Sequence, residues 1–206
     1  MTETSDAPAI QITTVADKVT VAMSYVPSEL PIFVCDLTLI QPQLALARQA
    51  IDELRLSHPE STPSNVQAVY MSPWNSHELN AKLKPLCDSV VTIAQTMAQN
   101  AMGVWFAAMQ IELYVSNCWG IIYEDSDHTK PHSHFPAEFA CAIYLEADEG
   151  CAPIVFSRTV AVQPKAGSMI LFPGIIKHEV PPNQGRRVVI SMNLLKRSVG
   201  APPQAA

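Results

Sequence analysis

Four of the six histidines in this chain lie between residues 128 and 178. His132 and His134 are separated by one residue, and His178 follows later, at the end of an apolar run. In an extended segment, residues two apart point to the same face, so this pair can reach one ion together. Neutral imidazoles favour iron, zinc, copper or nickel over magnesium or calcium. The pair alone would equally fit a solvated loop, but the distal histidine favours a metal site with open coordination positions.

An arginine near the distal histidine predicts a site for a carboxylate. The intervening segment 181–185 is rich in turn residues, and a hairpin there would place His178 opposite Arg187, ~5 Å away across the strands. The planar guanidinium binds both oxygens of a carboxylate. Ser191 and Asn193 would share the face of Arg187, because side chains alternate along a strand. The alternative for Arg187 is a surface ion pair.

Two helices are expected before these residues. Apolar positions recur three or four residues apart over 42–56, and again from Leu79 to Met97. Pro85 should bend the second helix or mark its true start, and Gly103 should end it.

After Gly103 the pattern changes to short runs of β-branched and aromatic residues separated by turn residues. The expected strands are Trp105–Val115, Trp119–Tyr123, Phe139–Glu146, Pro153–Val162, Ser168–Phe172, His178–Val180 and Arg187–Leu195. A further strand is expected within residues 10–26. Short strands after two helices predict an α+β, mainly β fold, in which helices flank one side of an antiparallel sandwich or barrel.

Length and composition predict a single domain. The chain has 206 residues, of which 48% are apolar and only 16% charged. This is enough to bury one large core but too short for two. The ends, at about 1–8 and 198–206, are small, polar or Pro- and Ala-rich, and we expect them to be frayed.

The charge pattern argues against a general nucleic-acid or membrane surface. The net charge is −6, and no basic cluster is denser than Arg186-Arg187. No apolar run approaches the ~20 residues that span a bilayer, and no signal pattern is evident near the start. The scattered cysteines predict buried free thiols in a reducing, cytoplasmic setting. These are Cys35, Cys87, Cys118, Cys141 and Cys151.

Taken together, these motifs resemble the 2-oxoglutarate- and Fe(II)-dependent oxygenases of the prolyl 4-hydroxylase-like class. The motifs are His132-Ser-His134, Cys141-Ala-Ile-Tyr144-Leu, Leu171-Phe-Pro with His178, and Arg187-Val-Val-Ile-Ser-Met-Asn. The resemblance is greatest to small bacterial and phage members with an H-x-H-x(n)-Y-L pattern. It extends over about residues 65–196 and is firmest after the H-x-H pair. It implies a double-stranded β-helix, or jelly roll, with N-terminal helices.

The resemblance implies an enzyme that uses Fe(II), 2-oxoglutarate and dioxygen. Oxidative decarboxylation of 2-oxoglutarate to succinate and carbon dioxide would be coupled to hydroxylation of a C–H bond in a small molecule or peptide. His132 and His178 would be iron ligands, and Arg187 would hold the distal carboxylate of 2-oxoglutarate. The cofactor-binding residues expected are Arg187, Tyr144, Tyr123, Ser191 and Asn193. A homodimer is compatible with the sequence.

One position departs from the usual pattern. His134 stands where the wider superfamily has Asp or Glu, so a three-histidine face would carry one less negative charge and leave iron more electrophilic. Alternatively, Asp127 or Glu138 supplies a carboxylate, or His134 faces the substrate. We favour His134 as the third ligand.

Two other readings remain open on the sequence alone. A cupin-type metalloprotein would bind metal through His132, His134, Glu138 and His178 without 2-oxoglutarate, and replacing Glu138 would then abolish metal binding. A non-catalytic binding protein would retain the histidines without using them. We prefer the oxygenase because Tyr144, Leu145 and Arg187 accompany the histidines.

Overall fold

A computed structural model describes residues 10–12, 19–25, 30–104, 106 and 108–200, with side chains from residue 30 onward. The helices are α1 (Gln41–Ser57), α2 (Ser76–Leu79) and α3 (Lys84–Met102), and short 3-10 turns cover Thr38–Ile40 and Ala81–Leu83. Among the described residues, no helix is both long and apolar enough to cross a membrane.

Thirteen strands are formed by the described residues. They are β1 (Ile10–Ile12), β2 (Val19–Tyr25), β3 (Pro31–Asp36), β4 (Val66–Gln67), β5 (Tyr70–Met71), β6 (Ile111–Tyr123), β7 (His128–His132), β8 (Phe139–Ala147), β9 (Ile154–Phe156), β10 (Val160–Val162), β11 (Ser168–Pro173), β12 (His178–Val180) and β13 (Arg187–Ser198). An eight-stranded sheet has the order β1-β2-β3-β11-β8-β13-β6-β5, and a five-stranded sheet has the order β10-β9-β12-β7-β4. The pairs are antiparallel, as a jelly roll requires.

Alternation along β13 shows how this fold positions a site. Val188, Ile190, Met192 and Leu194 lie in the apolar core shared with α1 and α3. Arg187, Val189, Ser191 and Asn193, on the opposite face of the strand, line a cavity between the two sheets. Because side chains alternate along a strand, one strand supplies both the core under the helices and the wall of the cavity. The predicted mainly β fold with helices on one side is therefore confirmed.

The predicted helices agree closely with the structure. The first, expected over 42–56, is α1, and its apolar face is buried. The second begins at Lys84, with Pro85 in its first turn, so this proline marks the start of the helix and does not bend it. Gly103 ends the helix with a left-handed φ of 66°.

Several strand predictions need correction. The runs Trp105–Val115 and Trp119–Tyr123 form one strand, β6, which starts at Ile111; Trp105 lies outside the described residues. The run Pro153–Val162 is two strands, because the chain turns at Ser157 and Arg158, where φ is positive.

The sequence analysis also made predictions about the two ends of the chain, a strand within residues 10–26 and the burial of the cysteines. Residues 1–8 and 201–206 lie outside the described part of the chain, whereas β13 extends to Ser198. The expected strand within 10–26 appears as β1 and β2. All five cysteines are buried and free, as predicted.

Candidate active site

His132 and His178 are brought together by strand pairing. His132 ends β7, and His178 begins β12, the antiparallel neighbour of β7 in the five-stranded sheet. The two residues are direct cross-strand partners, and their ring centroids are 4.3 Å apart. Directly opposed residues place their side chains side by side on one face. The sheet register therefore fixes this pair of histidines.

The loop after β7 positions the third histidine. The His134 amide donates to the Gly174 carbonyl at 2.7 Å, and the His134 carbonyl accepts from the Ala137 amide at 2.8 Å. The His134 ring lies 4.9 Å from the His132 ring and 5.0 Å from the His178 ring, measured between centroids. A ligand atom from each of the three histidines lies within 4.8 Å of the other two. Such spacing allows all three to bind one ion.

Hydrogen bonds orient two of the rings for metal binding. The Nδ1 atoms of His132 and His178 lie 2.9 Å and 3.2 Å from the carbonyl oxygens of Lys130 and Ile176. A carbonyl only accepts, so Nδ1 carries the proton and Nε2 keeps a free lone pair. This is the usual arrangement behind metal-binding histidines.

Burial keeps the three imidazoles neutral. It lowers the pKa of His132, and burial together with repulsion from His132 lowers the pKa of His134 to about 3. The neighbouring amide of Asn193 opposes this shift. Burial and then repulsion from the other two histidines hold the pKa of His178 well below its ordinary value. The cluster thus offers lone pairs, not protons, at neutral pH.

These shifts predict that the metal-free protein loses stability as the pH falls. Each histidine binds a proton more readily in the unfolded chain, so stability declines between the unfolded pKa of 6.5 and the lower folded pKa, about 3 for His134. The slope is up to ~1.4 kcal/mol per pH unit for each such histidine. Denaturant titrations between pH 7 and 5 would measure it. His134→Gln should flatten the profile, whereas Asn100→Gln, at an exposed site on α3, should leave it unchanged.

Gly174 supports the loop that carries His134. A Cβ at Gly174 would lie 2.3 Å from the Ala137 carbonyl oxygen, a backbone atom that cannot move aside without displacing the loop. We expect Gly174→Ala to cost ~1–3 kcal/mol of stability and to weaken metal binding at least ~10-fold. In the control, Gly120→Ala, the added Cβ meets the flexible end of the Ile51 side chain. Thermal unfolding and anaerobic Fe(II) titration should show that Gly120→Ala affects stability alone; equal loss of metal binding in both would contradict this role.

Arg187 is a buried cation without an anionic partner among the residues that the structure describes. Its side chain is 1% exposed, and one Nη donates to the Ala152 carbonyl at 2.9 Å. The guanidinium carbon lies 4.2 Å from the ring centroid of Tyr123. Nε has no hydrogen-bond partner, and no ion pair in the described part of the chain includes Arg187. A buried charge is costly unless paired, so this side chain is suited to an anionic ligand.

Two tyrosines surround Arg187. The Tyr123 hydroxyl bonds to Thr129 Oγ1 at 2.6 Å, whereas the Tyr144 hydroxyl has no protein partner among the described residues. Burial raises the pKa of both phenols, and the charge of Arg187 opposes the shift. Both hydroxyls therefore stay protonated, and that of Tyr144 is free to donate to a ligand.

Glu138 and Asp127, the carboxylates that the sequence offered as alternative metal ligands, do not lie in the histidine cluster. Glu138 forms an ion pair with Lys196 at 2.7 Å. Asp127 accepts hydrogen bonds from the backbone amides of Val69 and Glu124 at 3.1 and 2.8 Å. Within the described chain, the cluster able to hold a metal contains only His132, His134 and His178. The cupin ligand set, which needs Glu138, is therefore not assembled.

The predicted hairpin between His178 and Arg187 is wrong. His178 pairs with His132 and Phe156 in the five-stranded sheet, whereas Arg187 pairs with Tyr123 and Ala147 in the eight-stranded sheet. The segment 181–185 thus crosses between sheets. Both side chains still line one cavity of about 480 Å³, but they reach it from opposite walls.

The cavity is arranged in layers along β6, β8 and β13. Arg187 pairs with Tyr123 at one end, Ser191 pairs with Trp119 and Ala142 in the middle, and Asn193 follows toward the other end. Asn193 lies six residues beyond Arg187 along β13, ~20 Å at the rise of an extended strand. The amide of Asn193 neighbours His134, at the metal end of the cavity. The expected role of Asn193 in binding 2-oxoglutarate therefore stays a prediction.

Aromatic residues that the sequence analysis did not assign to the site surround the histidines. The ring centroid of Trp119 is 5.9 Å from His134 and 4.6 Å from Trp74, and that of Phe172 is 4.8 Å from His178. The alternation of Trp119, Ile121 and Tyr123 along β6 was the available signal, because all three line the cavity.

Solved structures with this fold include several oxygenases. A prolyl-4-hydroxylase from Pseudomonas putida is 13% identical, with a TM-score of 0.57, over 81% of this chain and 92% of that chain. A prolyl hydroxylase from Trichoplax adhaerens, solved with a hypoxia inducible factor peptide fragment, is 15% identical, with a TM-score of 0.58. The match covers 80% of this chain and 83% of that chain. The fold is that of the 2-oxoglutarate/Fe(II) oxygenases.

An enzyme that catalyses a reaction other than hydroxylation has a similar fold. The α-ketoglutarate-dependent epimerase SnoN of nogalamycin biosynthesis is 15% identical to this chain, with a TM-score of 0.60, over 85% of this chain and 86% of that one. No family model and no curated protein matches the sequence. The expected resemblance to prolyl 4-hydroxylases therefore holds for the 2-oxoglutarate oxygenase fold and the histidine cluster, and the reaction must be argued from the site.

Proposed function

We propose that this protein is a 2-oxoglutarate- and Fe(II)-dependent oxygenase that hydroxylates a C–H bond of its substrate. The proposal rests on Arg187, a buried cation that forms no ion pair with any described residue and lines the same cavity as three neutral histidines. One cavity thereby offers donors for a transition metal and a receptor for a carboxylate.

The site residues divide into two groups in this proposal. His132, His134 and His178 would hold Fe(II) through imidazole nitrogens, which leaves coordination positions for the keto-acid end of 2-oxoglutarate and for dioxygen. Arg187 would bind the distal carboxylate, and the free hydroxyl of Tyr144 would donate to the same group. Tyr123 supports Arg187 through its ring, and Ser191 faces the space between the two groups.

In this proposal the protein positions the reacting groups and surrounds them with a largely apolar cavity. The bound metal and 2-oxoglutarate would activate dioxygen, the oxidant, one atom of which would enter succinate as 2-oxoglutarate loses carbon dioxide and the other the hydroxylated substrate. The cavity walls include the apolar side chains of Phe172, Ile154 and Val189, which would limit water around the reacting groups. Exclusion of water strengthens the Arg187 contact with a carboxylate and protects a reactive centre. A peptide or a small molecule could enter from the end opposite Arg187.

Succinate release tests this proposal. Protein loaded anaerobically with Fe(II) and 2-oxoglutarate should release succinate slowly when oxygen is admitted, even without substrate. The reaction should need both Fe(II) and the three histidines. Tight Fe(II) binding without any consumption of 2-oxoglutarate would favour a metalloprotein of another kind.

A further inference from the structure

The cavity continues past the histidines to an uncharged mouth. Asn193 on β13 pairs with Asn117 on β6, one layer beyond the pair formed by Ser191 and Trp119. Trp74 and Phe135 also line the cavity, and they are 38% and 73% exposed. Large exposed aromatic side chains next to a cavity are typical of a binding site.

The charges of the cavity are confined to its other end. Among the described lining residues, Arg187 is the only Lys, Arg, Asp or Glu. A substrate with an ammonium, carboxylate or phosphate group at the mouth would lose hydration without gaining a charged partner, which is costly. The mouth therefore disfavours free amino acids and nucleotides and favours a neutral group.

The amides at the mouth leave a donor free. The Asn117 Oδ1 atom accepts from Asn193 Nδ2 and from Ser116 Oγ, each at 3.3 Å. The Asn117 Nδ2 group has no partner among the described residues, and neither has the hydroxyl of Ser133. With its oxygen engaged, the Asn117 amide is oriented to donate, so it suits the carbonyl oxygen of a ligand.

We propose that this mouth binds an uncharged amide that carries an apolar group. The ligand carbonyl would accept from Asn117 Nδ2, and the apolar group would lie against Trp74 and Phe135. Asn117 would then be a specificity-determining residue, and Asn193 would orient it. The assignment of the mouth as the substrate side rests on the proposed function, but the preference for neutral amides is a property of the mouth alone.

Binding of matched probes tests this inference. Cyclohexanecarboxamide, cyclohexanecarboxylate and cyclohexylmethylammonium share one ring and differ in charge. Ligand-observed NMR titrations use metal-free Arg187→Met protein, in which the carboxylate receptor at the far end of the cavity is removed, and anaerobic wild-type protein whose Arg187 is occupied by 2-oxoglutarate with Fe(II). Both should show the carboxamide binding at least ~10-fold more tightly than either ion. Asn117→Leu should weaken carboxamide binding ~10-fold. Asn100→Leu, at an exposed site on α3, is the matched control and should change nothing.

The outcomes separate this inference from the proposed function. Equal or tighter binding of an ionic probe, or no effect of Asn117→Leu, would overturn the inference even where Fe(II) and 2-oxoglutarate bind. Carboxamide selectivity without Fe(II) binding would support the inference and count against the oxygenase. A capped tripeptide with a central leucine distinguishes the sources: tighter binding than the carboxamide supports a peptide, and weaker binding supports a small amide.

Discussion

Replacing Arg187 with methionine is expected to lower the affinity for 2-oxoglutarate at least ~100-fold while Fe(II) binding is retained. Without the guanidinium, the distal carboxylate would be buried and unpaired, and losing one partner of a buried charge pair costs ~2–5 kcal/mol. Anaerobic calorimetry of 2-oxoglutarate binding to the Fe(II)-loaded protein would measure the loss. His132 and His178 belong to the five-stranded sheet and Arg187 to the eight-stranded one, so metal affinity provides an internal check.

The adjacent arginine supplies the matched control. Arg186 is partly exposed and pairs with Glu124 at 3.5 Å and Glu146 at 3.3 Å. Arg186→Met should therefore leave 2-oxoglutarate affinity within about twofold of wild type. In the absence of 2-oxoglutarate, Arg187→Met should unfold at the same temperature as wild type or a higher one, because it removes an unpaired buried charge. A structural role for Arg187 would instead show as a lower unfolding temperature.

Replacing His134 with alanine is expected to weaken Fe(II) binding at least ~100-fold, since even residues that merely orient ligands cost 10–100-fold when lost. The reason is the position of its ring, with centroids 4.9 and 5.0 Å from those of His132 and His178. Fe(II) affinity can be measured by anaerobic competition with a chelator. The result decides between His134 as a ligand and His134 as a residue that only faces the substrate.

Glu138→Ala is the control for the His134 variant. Glu138 is paired with Lys196 at the surface, so its loss should leave Fe(II) affinity unchanged. A cupin-type site predicts the reverse order, with Glu138 essential. Unchanged affinity in His134→Ala would show that two histidines and a group outside the cluster hold the metal.

The sequence was informative wherever local chemistry decides the structure. Helical periodicity located α1 and α3, Pro85 and Gly103 marked the two ends of α3, and the H-x-H pair located the metal cluster. Each of these features depends on neighbouring residues: the fixed φ of proline, the left-handed φ of glycine, and the alternation of side chains in an extended segment. These local features can be recognised without knowing how the rest of the chain folds.

The pairing of strands that are distant in the chain could not be predicted from such local signals. A turn-rich segment such as 181–185 can close a hairpin or cross between sheets, and only the other strands decide which. The sequence analysis separated Trp105–Val115 from Trp119–Tyr123, yet the polar residue Asn117 between them lies in β6, where it lines the cavity mouth. Ser157 and Arg158 form a tight turn with positive φ but without glycine, so a single serine was the only turn signal there.

A titration of 2-oxoglutarate into the anaerobic wild-type protein, with and without Fe(II), tests most directly whether Arg187 and the histidine cluster bind one ligand. We expect one 2-oxoglutarate to bind per chain, more tightly when Fe(II) is present, together with a visible charge-transfer absorption from the chelate. The carboxylate at Arg187 and the keto acid at the histidine cluster would then belong to one ligand. Tight Fe(II) binding that is indifferent to 2-oxoglutarate would contradict the account.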